Sequence, residues 1–388
     1  MNLSLAGRIG FVLVLALMCE LTHAGLARER GPRVELVCPW QPIPFPIDQR
    51  TVLAYELHVT NFDSMPLTLK RVEISADTEN GGPIHVLTGD SLTMAMHRAG
   101  AMSSQGTGTI ESGAQVIIFL WIELQPNHTV PAVLHHRMIF SSAASPNDRG
   151  SSADAVLEDF PVQVSRHSAP TLSPPFNGGV WLAGIGPANN SDHRRAITAI
   201  DGNVHLAQRF AIDWIKVGPN GDSTHDGTAR NDNWWGYGEP LLAVADGEIT
   251  AVVDGIPENT PRVLPSSFTL DNLAGNYIIL RIGPQLYATY AHLQPGSIQV
   301  RLHDRVRRGT ILARLGNSGQ ATAPHLHFQV TDENSVFQSE GVPFVLEQFT
   351  YFGPGSSYEL DKHPSVPWVR SIPPGDAVLE FKPNSNTQ

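Results

Sequence analysis

Glycine and proline recur along the whole chain and divide its apolar segments into short pieces. The 388-residue sequence contains 34 glycines and 30 prolines, spread out rather than gathered in one region. Short apolar runs between turn-forming residues are typical of β-strands, because glycine and proline break long helices. A hydrophobic content of 41% is enough for real cores and argues against disorder. We therefore predict an all-β protein.

The length predicts two domains, at roughly 150 residues per domain. Residues 33–166 consist of short strands and polar turns, which favour a β-sandwich of the immunoglobulin-like kind, although the Cys…Trp…Cys pattern of true immunoglobulin domains is absent. The predicted linker is rich in proline and glycine and nearly uncharged. We therefore predict five segments: a signal peptide at 1–24, a β-sandwich domain at 33–167, a linker at 168–179, a second β-rich domain at 180–350 and a C-terminal extension at 351–388.

The N-terminus has the features of a secretory signal. Arg8 precedes an apolar stretch from Ile9 to Met18, which is too short to span a bilayer, and Thr22-His23-Ala24 is an acceptable cleavage site. We expect a secreted, periplasmic or cell-envelope protein of a bacterium, without stable membrane insertion after cleavage. Lipidation at Cys19 and an uncleaved anchor stay open as alternatives.

The cysteine count and the net charge argue against two further classes of protein, disulfide-stabilised scaffolds and nucleic-acid binders. Cleavage removes Cys19 and leaves Cys38 alone, so the mature chain can form no internal disulfide. The formal net charge of -11 argues against a general nucleic-acid binder, because such proteins carry basic surfaces that neutralise phosphates. No nucleic-acid partner is expected. Neither the oligomeric state nor a protein partner of the N-terminal domain can be inferred.

Two histidines separated by one residue carry the clearest chemical signal. His325 and His327 flank Leu326 in a segment that continues into the strand formers Phe328 and Val330. Residues i and i+2 of a strand point to the same face, so the two imidazoles enter one small volume. That arrangement suits a metal site, in which one ring can bind the ion and the other can act on the substrate. Two surface histidines on a sheet edge are the plain alternative.

Two further residues complete a set of metal-binding side chains. Asp213 stands among apolar residues in the predicted strand 208–214, where a carboxylate is costly unless it binds a cation or accepts hydrogen bonds. His292 ends another predicted strand, Leu286–Leu293. One aspartate and three histidines supply mixed nitrogen and oxygen ligands for zinc, with a histidine to spare for proton transfer.

The order of several motifs resembles a known family. The motifs are Asp213-Trp214, Ala243-Val244-Ala245-Asp246-Gly247, Gly275-Asn276-Tyr277, Tyr290-Ala291-His292-Leu293, Val306-Arg307-Arg308-Gly309, Gly316-Asn317-Ser318-Gly319 and Pro324-His325-Leu326-His327-Phe328. This order resembles the lysostaphin/LytM-type zinc endopeptidases over about residues 180–345. The resemblance implies a β-rich duplicated-hybrid-motif fold, with the metallopeptidase domain at 180–350. It also implies Zn²⁺ as cofactor and a peptide substrate, typically in bacterial peptidoglycan.

Residue roles carry over to the matching positions. The resemblance implies that Asp213 and His327 bind zinc. It implies that His292 and His325 orient or polarise the attacking water and stabilise the tetrahedral intermediate.

One departure concerns the first zinc ligand. The family places a histidine four residues before the aspartate, where this sequence has Arg209, and an arginine stays protonated and cannot bind zinc. If the segment is extended, His205 lies about 26 Å from Asp213 and cannot share an ion with it. A hairpin turn at Ile200–Asn203 would instead bring His193 close to residue 210. We favour His193, keep His205 and a degenerate site as alternatives, and regard His225 as a minor candidate.

These observations favour an exported zinc metalloendopeptidase that hydrolyses peptide bonds, with peptidoglycan as the expected substrate. The scissile bond cannot be inferred. The first alternative is a catalytically degenerate module that binds cell wall or regulates another hydrolase, with Arg209 paired to Asp213 in place of a metal. The second alternative is a secreted adhesin or structural protein in which the β-sandwich is the functional domain.

Overall fold

The protein is nearly all β-structure, as the sequence predicts. The computed structural model describes residues 31–77, 82–98, 108–126, 128–142, 154–219, 221–263, 267–355 and 365–383. Within these ranges the helices are short: Gly89–Ala95 and Leu270–Leu273 are α-helical, and His193–Arg195 and Asn231–Asn233 are 3-10 turns. The predicted signal peptide and Cys19 lie outside the described residues. Among the described residues, none of the helices has the length and apolar character needed to cross a bilayer.

Two five-stranded antiparallel sheets form the N-terminal half and enclose a common hydrophobic core. The first sheet contains β1 (Val34–Val37), β2 (Phe45–Ile47), β3 (Arg50–Asn61), β6 (Met96–Arg98) and β8 (Gln115–Leu124). The second contains β4 (Leu67–Ala76), β5 (His85–Thr88), β7 (Thr109–Ile110), β9 (Val133–Ser142) and β10 (Asp154–Gln163). The immunoglobulin-like assignment of this half stays a prediction.

Strand β3 is buried on both faces, which joins the two halves of the chain. Its residues alternate between the faces with a period of two. One set faces the core between the two N-terminal sheets and consists of Leu53, Tyr55, Leu57 and Val59. On the opposite face, Val52 and Ala54 belong to the core of the C-terminal half, and Glu56 is buried beside them. The first sheet is therefore covered by the C-terminal half.

An eleven-stranded sheet dominates the C-terminal half. In spatial order its strands are β11 (Thr171–Leu172), β23 (Val345–Pro354), β25 (Ala377–Phe381), β12 (Gly179–Ala183), β15 (Ile212–Lys216), β22 (Leu326–Thr331), β19 (Leu286–Leu293), β18 (Asn276–Gly283), β17 (Gly247–Val253) and β20 (Arg305–Val306), with β24 (Val366–Ser371) paired to β23. Two small two-stranded sheets accompany it, β13 (Thr198–Ile200) with β14 (Asn203–His205) and β16 (Pro240–Leu242) with β21 (Ile311–Arg314).

The segments predicted as linker and C-terminal extension both enter this sheet. Leu172 and Phe176, within 168–179, are buried in the C-terminal core. Strand β25 lies within 351–388 and pairs with β12. The domain boundaries stay a prediction. Residues in both the predicted linker and the predicted C-terminal extension pack with strands of the second domain.

Besides the turn at Ile200–Asn203, the sequence predicts hairpin turns at Asp246-Gly247 and at Gly283-Pro284, and the first of these two is wrong. Strands β18 and β19 pair around Pro284, as expected. The hairpin predicted at Asp246-Gly247 does not form, because β16 pairs with β21 whereas β17 pairs with β18 and β20. Four residues separate β16 from β17, and the Val244 amide among them donates to the Tyr290 hydroxyl at 2.9 Å. The connection is thus held by a distant residue rather than closed as a two-residue turn.

Candidate metal centre

Asp213 is placed at the site by the register of two neighbouring strands. It lies in β15, directly opposite His327 of β22. Its neighbours Ile212 and Trp214 are fully buried in the hydrophobic core on the other face of the sheet. Because side chains alternate along a strand, burial of these two residues turns the carboxylate towards the opposite face.

His327 has its two ring nitrogens occupied by different partners. Nδ1 lies 3.0 Å from Asp213 Oδ1, and Nε2 lies 2.9 Å from Gln329 Oε1. The Gln329 side-chain nitrogen donates to the Val336 carbonyl at 2.8 Å, which fixes the glutamine oxygen towards His327. Nε2 of the neutral imidazole therefore carries the hydrogen, and Nδ1 directs a lone pair towards Asp213.

His193 reaches the same carboxylate from the 3-10 turn His193–Arg195. Its Nε2 lies 3.4 Å from Asp213 Oδ2. Its Nδ1 lies 3.0 Å from the Ile185 carbonyl, an arrangement in which Nδ1–H donates and Nε2 keeps its lone pair. The predicted hairpin at Ile200–Asn203 is present as β13 and β14. The structure thus places His193 beside the aspartate.

The three side chains form one buried cluster of acceptors. One ligand atom of each of His193, Asp213 and His327 lies within 4.8 Å of the others. With both imidazoles neutral, two nitrogen lone pairs and a carboxylate point at one another with no hydrogen between them, so the cluster needs a cation or a proton. Zinc takes such nitrogen and oxygen ligands at about 2.0–2.2 Å. The donor set and its spacing fit a zinc ion held by three protein ligands.

Two more histidines face this cluster. His325 Nε2 lies 3.6 Å from Asp213 Oδ1, and His325 Nδ1 lies 2.8 Å from the Ala323 carbonyl. The rings of His292 and His325 have centroids 4.7 Å apart. His292 Nδ1 lies 2.8 Å from the Ser318 carbonyl, so its Nε2 is the nitrogen left to act on another group. Both rings are therefore oriented by backbone carbonyls.

The protonation states of the side chains in the cluster are set by their burial and by the negative charge of Asp213. Burial alone would raise the pKa of Asp213, but the imidazoles of His193, His325 and His327 outweigh it and hold that pKa well below its usual range. Burial lowers the pKa of His193 to about 4 and that of His292 well below its usual range. Burial also opposes the charged form of His327, but only that form can donate from Nδ1 to Asp213, and this hydrogen bond outweighs burial and raises the pKa of His327. At neutral pH the cluster thus combines a carboxylate with neutral His193 and His292.

A cleft of about 420 Å³ opens over the cluster. All five histidine and aspartate residues line it, together with apolar residues such as Leu273, Val336 and Phe337. A second cavity of about 510 Å³ shares Ala274, Val336 and Phe337 with it. The two cavities therefore adjoin each other at these residues.

Arg209, His205 and His225 lie away from the cluster. Arg209 donates to Glu56 and Glu340 rather than to Asp213, so the pairing expected of a degenerate site is absent. His205 Nδ1 lies 3.6 Å from Glu340, and His225 bonds the Asp232 carbonyl on an exposed loop.

The strand predicted at 208–214 is displaced in the structure. It runs over Ile212–Lys216, because the Ala211 amide donates to the Gln208 carbonyl and closes a turn there. The apolar residues 210–212 produced the error, since a buried turn and a buried strand have the same composition.

Sequence reasoning missed two buried polar residues, Gln329 beside the cluster and Glu56 in β3. Gln329 is two residues after His327 on the same face of β22, a spacing that could have identified it. Glu56 is a carboxylate inside the apolar strand β3, where the argument applied to Asp213 holds equally.

The comparison with protein families locates the resemblance within the chain. Residues 232–339 match the family model of peptidase family M23. The matched region contains His292, His325 and His327, whereas His193 and Asp213 precede it. The chain is 37% identical over 57 residues to peptidoglycan DD-endopeptidase ShyA of Vibrio cholerae, which is 15% of this chain and 13% of the relative. It is 33% identical over 92 residues to peptidoglycan DD-endopeptidase ShyC of the same organism, 24% of this chain and 19% of the relative.

Further similarities extend to a metalloprotease sequence and to solved structures. An uncharacterized metalloprotease of Haemophilus influenzae is 31% identical over 80 residues, 19% of this chain and 16% of the relative. The chain thus spans a fifth or less of the length of these curated relatives. The catalytic domain of lysostaphin from Staphylococcus simulans aligns with 42% of this chain and 88% of its own, at 21% identity and a TM-score of 0.23. Residues 232–339 belong to peptidase family M23, the metallopeptidase family of lysostaphin and LytM type that the sequence motifs indicate.

Proposed function

We propose that the chain is an exported zinc-dependent metalloendopeptidase that hydrolyses peptide bonds in bacterial peptidoglycan. The observation that carries the proposal is the convergence of His193, Asp213 and His327 within 4.8 Å, with His292 and His325 beside them. Three protein ligands leave a coordination position open, which is the arrangement of catalytic rather than structural zinc sites.

Each side chain has a distinct part in the proposed reaction. When bound, zinc would supply Lewis-acid chemistry, which polarises a peptide carbonyl and lowers the pKa of water. His325 Nε2 carries a lone pair and can accept the proton of the attacking water, because its Nδ1–H is used on the Ala323 carbonyl. His292 Nε2 also keeps a lone pair, because its Nδ1–H donates to the Ser318 carbonyl, and it can accept a hydrogen bond that orients the attacking water. Once His325 has taken up the proton, its imidazolium can stabilise the negative charge that develops on the carbonyl oxygen. Apolar residues of the cleft restrict water around these groups.

The substrate class rests on the relatives and on the two cavities. Two relatives are named peptidoglycan DD-endopeptidases, and peptidoglycan lies outside the cytoplasm, in keeping with the predicted signal peptide. Two adjoining cavities suit an extended peptide better than a small compact ligand. We therefore propose the peptide stems or cross-bridges of the wall as substrate.

Digestion of purified peptidoglycan tests the proposal. The mature chain, loaded with one equivalent of zinc, is incubated with sacculi, and released peptides are identified by mass spectrometry. We expect new amino and carboxyl ends from one kind of bond. His325→Ala should keep the fold and the zinc while losing activity by about 10²–10⁴-fold, the usual contribution of a general base. A fully active His325→Ala variant would contradict the assigned role. A zinc-loaded wild type that binds sacculi without cutting them would favour the degenerate binding module.

A further inference from the structure

The metal-ligand candidate His193 is followed directly by an arginine that is buried in the other half of the chain. Arg194 has no solvent-exposed surface. Its guanidinium donates to a carboxylate oxygen of Glu56, to the Tyr55 carbonyl at 3.0 Å and to the Leu120 carbonyl at 3.3 Å. All three acceptors lie in β3 and β8 of the first N-terminal sheet. The short turn His193–Arg195 therefore places one side chain at the metal cluster and the next inside the N-terminal half.

Glu56 is the centre of a buried ionic network. Its carboxylate accepts from Arg194 and also from Arg209, whose NH2 group lies 2.9 Å from Glu56 Oε2. Arg209 donates further to Glu340 Oε2 at 2.6 Å and to the Gly341 carbonyl at 3.0 Å. Two arginines and two glutamates balance in charge. A buried pair of this kind is expensive to break, because removal of one partner leaves an unpaired charge away from water.

The N-terminal half also holds the rest of the turn. Phe119 of β8 lies under the guanidinium groups of Arg194 and Arg195, at 5.0 and 5.1 Å from its ring centroid. The Phe119 carbonyl accepts from Asn189 at 3.1 Å, and Arg195 donates to the Met94 carbonyl at 2.7 Å. A three-residue 3-10 turn has weak hydrogen bonds of its own, so these contacts fix where His193 stands.

We propose that Glu56, a residue of the N-terminal half, positions the zinc ligand His193 by anchoring Arg194 and Arg209, so that zinc affinity depends on the interface between the two halves. The inference rests on the proposed zinc site. It assigns a task to the N-terminal sheet that the family match at 232–339 does not include. Arg209 stands where the resemblance expects a zinc ligand, and here it helps to hold the substitute ligand in place.

Zinc affinity of Glu56→Gln tests the inference. The substitution keeps the size of the side chain and removes its charge. We expect a loss of affinity of about 10–100-fold, the usual effect of removing a residue that orients a metal ligand. Competition with a chromophoric chelator measures the affinity, and near-ultraviolet circular dichroism shows that the variant is folded. Glu123→Gln is the matched control, since Glu123 lies in the same sheet but forms an exposed pair with Arg50. It should bind zinc like the wild type.

A double-mutant cycle separates positioning from general destabilisation. If Glu56 acts through His193, Glu56→Gln should lower zinc affinity in the wild type but cause no further loss of the residual affinity that titration with excess zinc measures in a His193→Ala background. An equal loss in both backgrounds would overturn the inference, as would a folded Glu56→Gln variant with wild-type affinity. If Glu56→Gln does not fold, the charge-balanced variant Glu56→Gln/Arg194→Gln takes its place in the same cycle. Absence of zinc from the wild type would instead contradict the proposed function itself.

Discussion

Asp213 and His327 face each other across paired strands, with 3.0 Å between Asp213 Oδ1 and His327 Nδ1. Strand pairing sets this distance, so the two residues are brought together by the fold and not by a flexible loop. A slip of one residue in the register would turn His327 into the hydrophobic core. The third member, His193, depends on contacts with the other half of the chain.

Gln329 fixes the tautomer of His327, so its removal should weaken metal binding. In Gln329→Leu the His327 Nε2–H loses its acceptor, and Nδ1 is no longer held as the free nitrogen. We expect zinc affinity to fall by about 10–100-fold, with the fold retained, because leucine fills a similar volume. Calorimetric titration of the metal-free protein with zinc measures the change.

Gln348→Leu is the matched control for this variant. Gln348 lies exposed in β23 of the same sheet. Its substitution should leave zinc affinity unchanged. Equal affinities of the two variants would show that Gln329 has no influence on His327.

Gly275 allows the backbone of Ser318 to approach closely, and the Ser318 carbonyl accepts the hydrogen bond that orients His292. It has a φ of +63°, and a Cβ atom there would lie 2.5 Å from the Ser318 carbonyl, the acceptor of His292 Nδ1. Gly275→Ala should therefore displace Ser318 and reduce peptide hydrolysis at least about tenfold, since misplaced catalytic groups are costly. Steady-state rates and thermal unfolding measure both effects.

Gly202→Ala separates backbone strain from the clash. Gly202 has a φ of +82° in the β13–β14 turn, with open space around it. The Gly202→Ala variant should lose only about 1 kcal/mol of stability, which is the cost of a left-handed backbone for alanine, and it should keep its activity. If Gly275→Ala were as active as Gly202→Ala, the Ser318 contact would be irrelevant to catalysis.

His136 should make the protein less stable in mild acid. It is buried, with Nε2 2.6 Å from the Tyr55 hydroxyl, and burial lowers its pKa to about 4 from an ordinary value of 6.5. Below pH 6.5 the unfolded chain takes up a proton that the folded chain refuses until about pH 4. Stability is therefore lost as the pH falls through this window, by up to about 3 kcal/mol.

Thermal unfolding between pH 7 and pH 4 measures this effect. His136→Gln should be less stable at pH 7 but show a smaller drop on acidification. His135→Gln, which changes a half-buried neighbour in β9, controls for the loss of one histidine. A His136→Gln variant with the full wild-type drop would assign the acid sensitivity to other groups.

The part of the site predictable from sequence is the part that lies on strands. A carboxylate among apolar residues and a His-x-His pair follow from strand periodicity, and these rules place Asp213, His325 and His327 on one face. Glu56 obeys the same rule, because it is a charge within the apolar strand β3. Its partners Arg194 and Arg209 are far away in sequence, so no local pattern pairs them.

Connections between strands were harder to predict than strands. The hairpin expected at Asp246-Gly247 and the strand expected over 208–214 both failed where a distant residue decides the backbone path. Val244 is held by the Tyr290 hydroxyl, and Arg209 by Glu56 and Glu340. The position of His193 depends on the same kind of long-range contact, so the sequence could favour His193 over His205 and His225 but could not exclude a degenerate site.

In the proposed enzyme His193, and not His205, completes a zinc site with Asp213 and His327. The most direct test is the metal content of the purified mature chain, compared between wild type, His193→Ala and His205→Ala. We expect one zinc per chain in wild type and His205→Ala, and its loss in His193→Ala. Zinc retained by His193→Ala, or absent from the wild type after incubation with excess metal, would contradict the account.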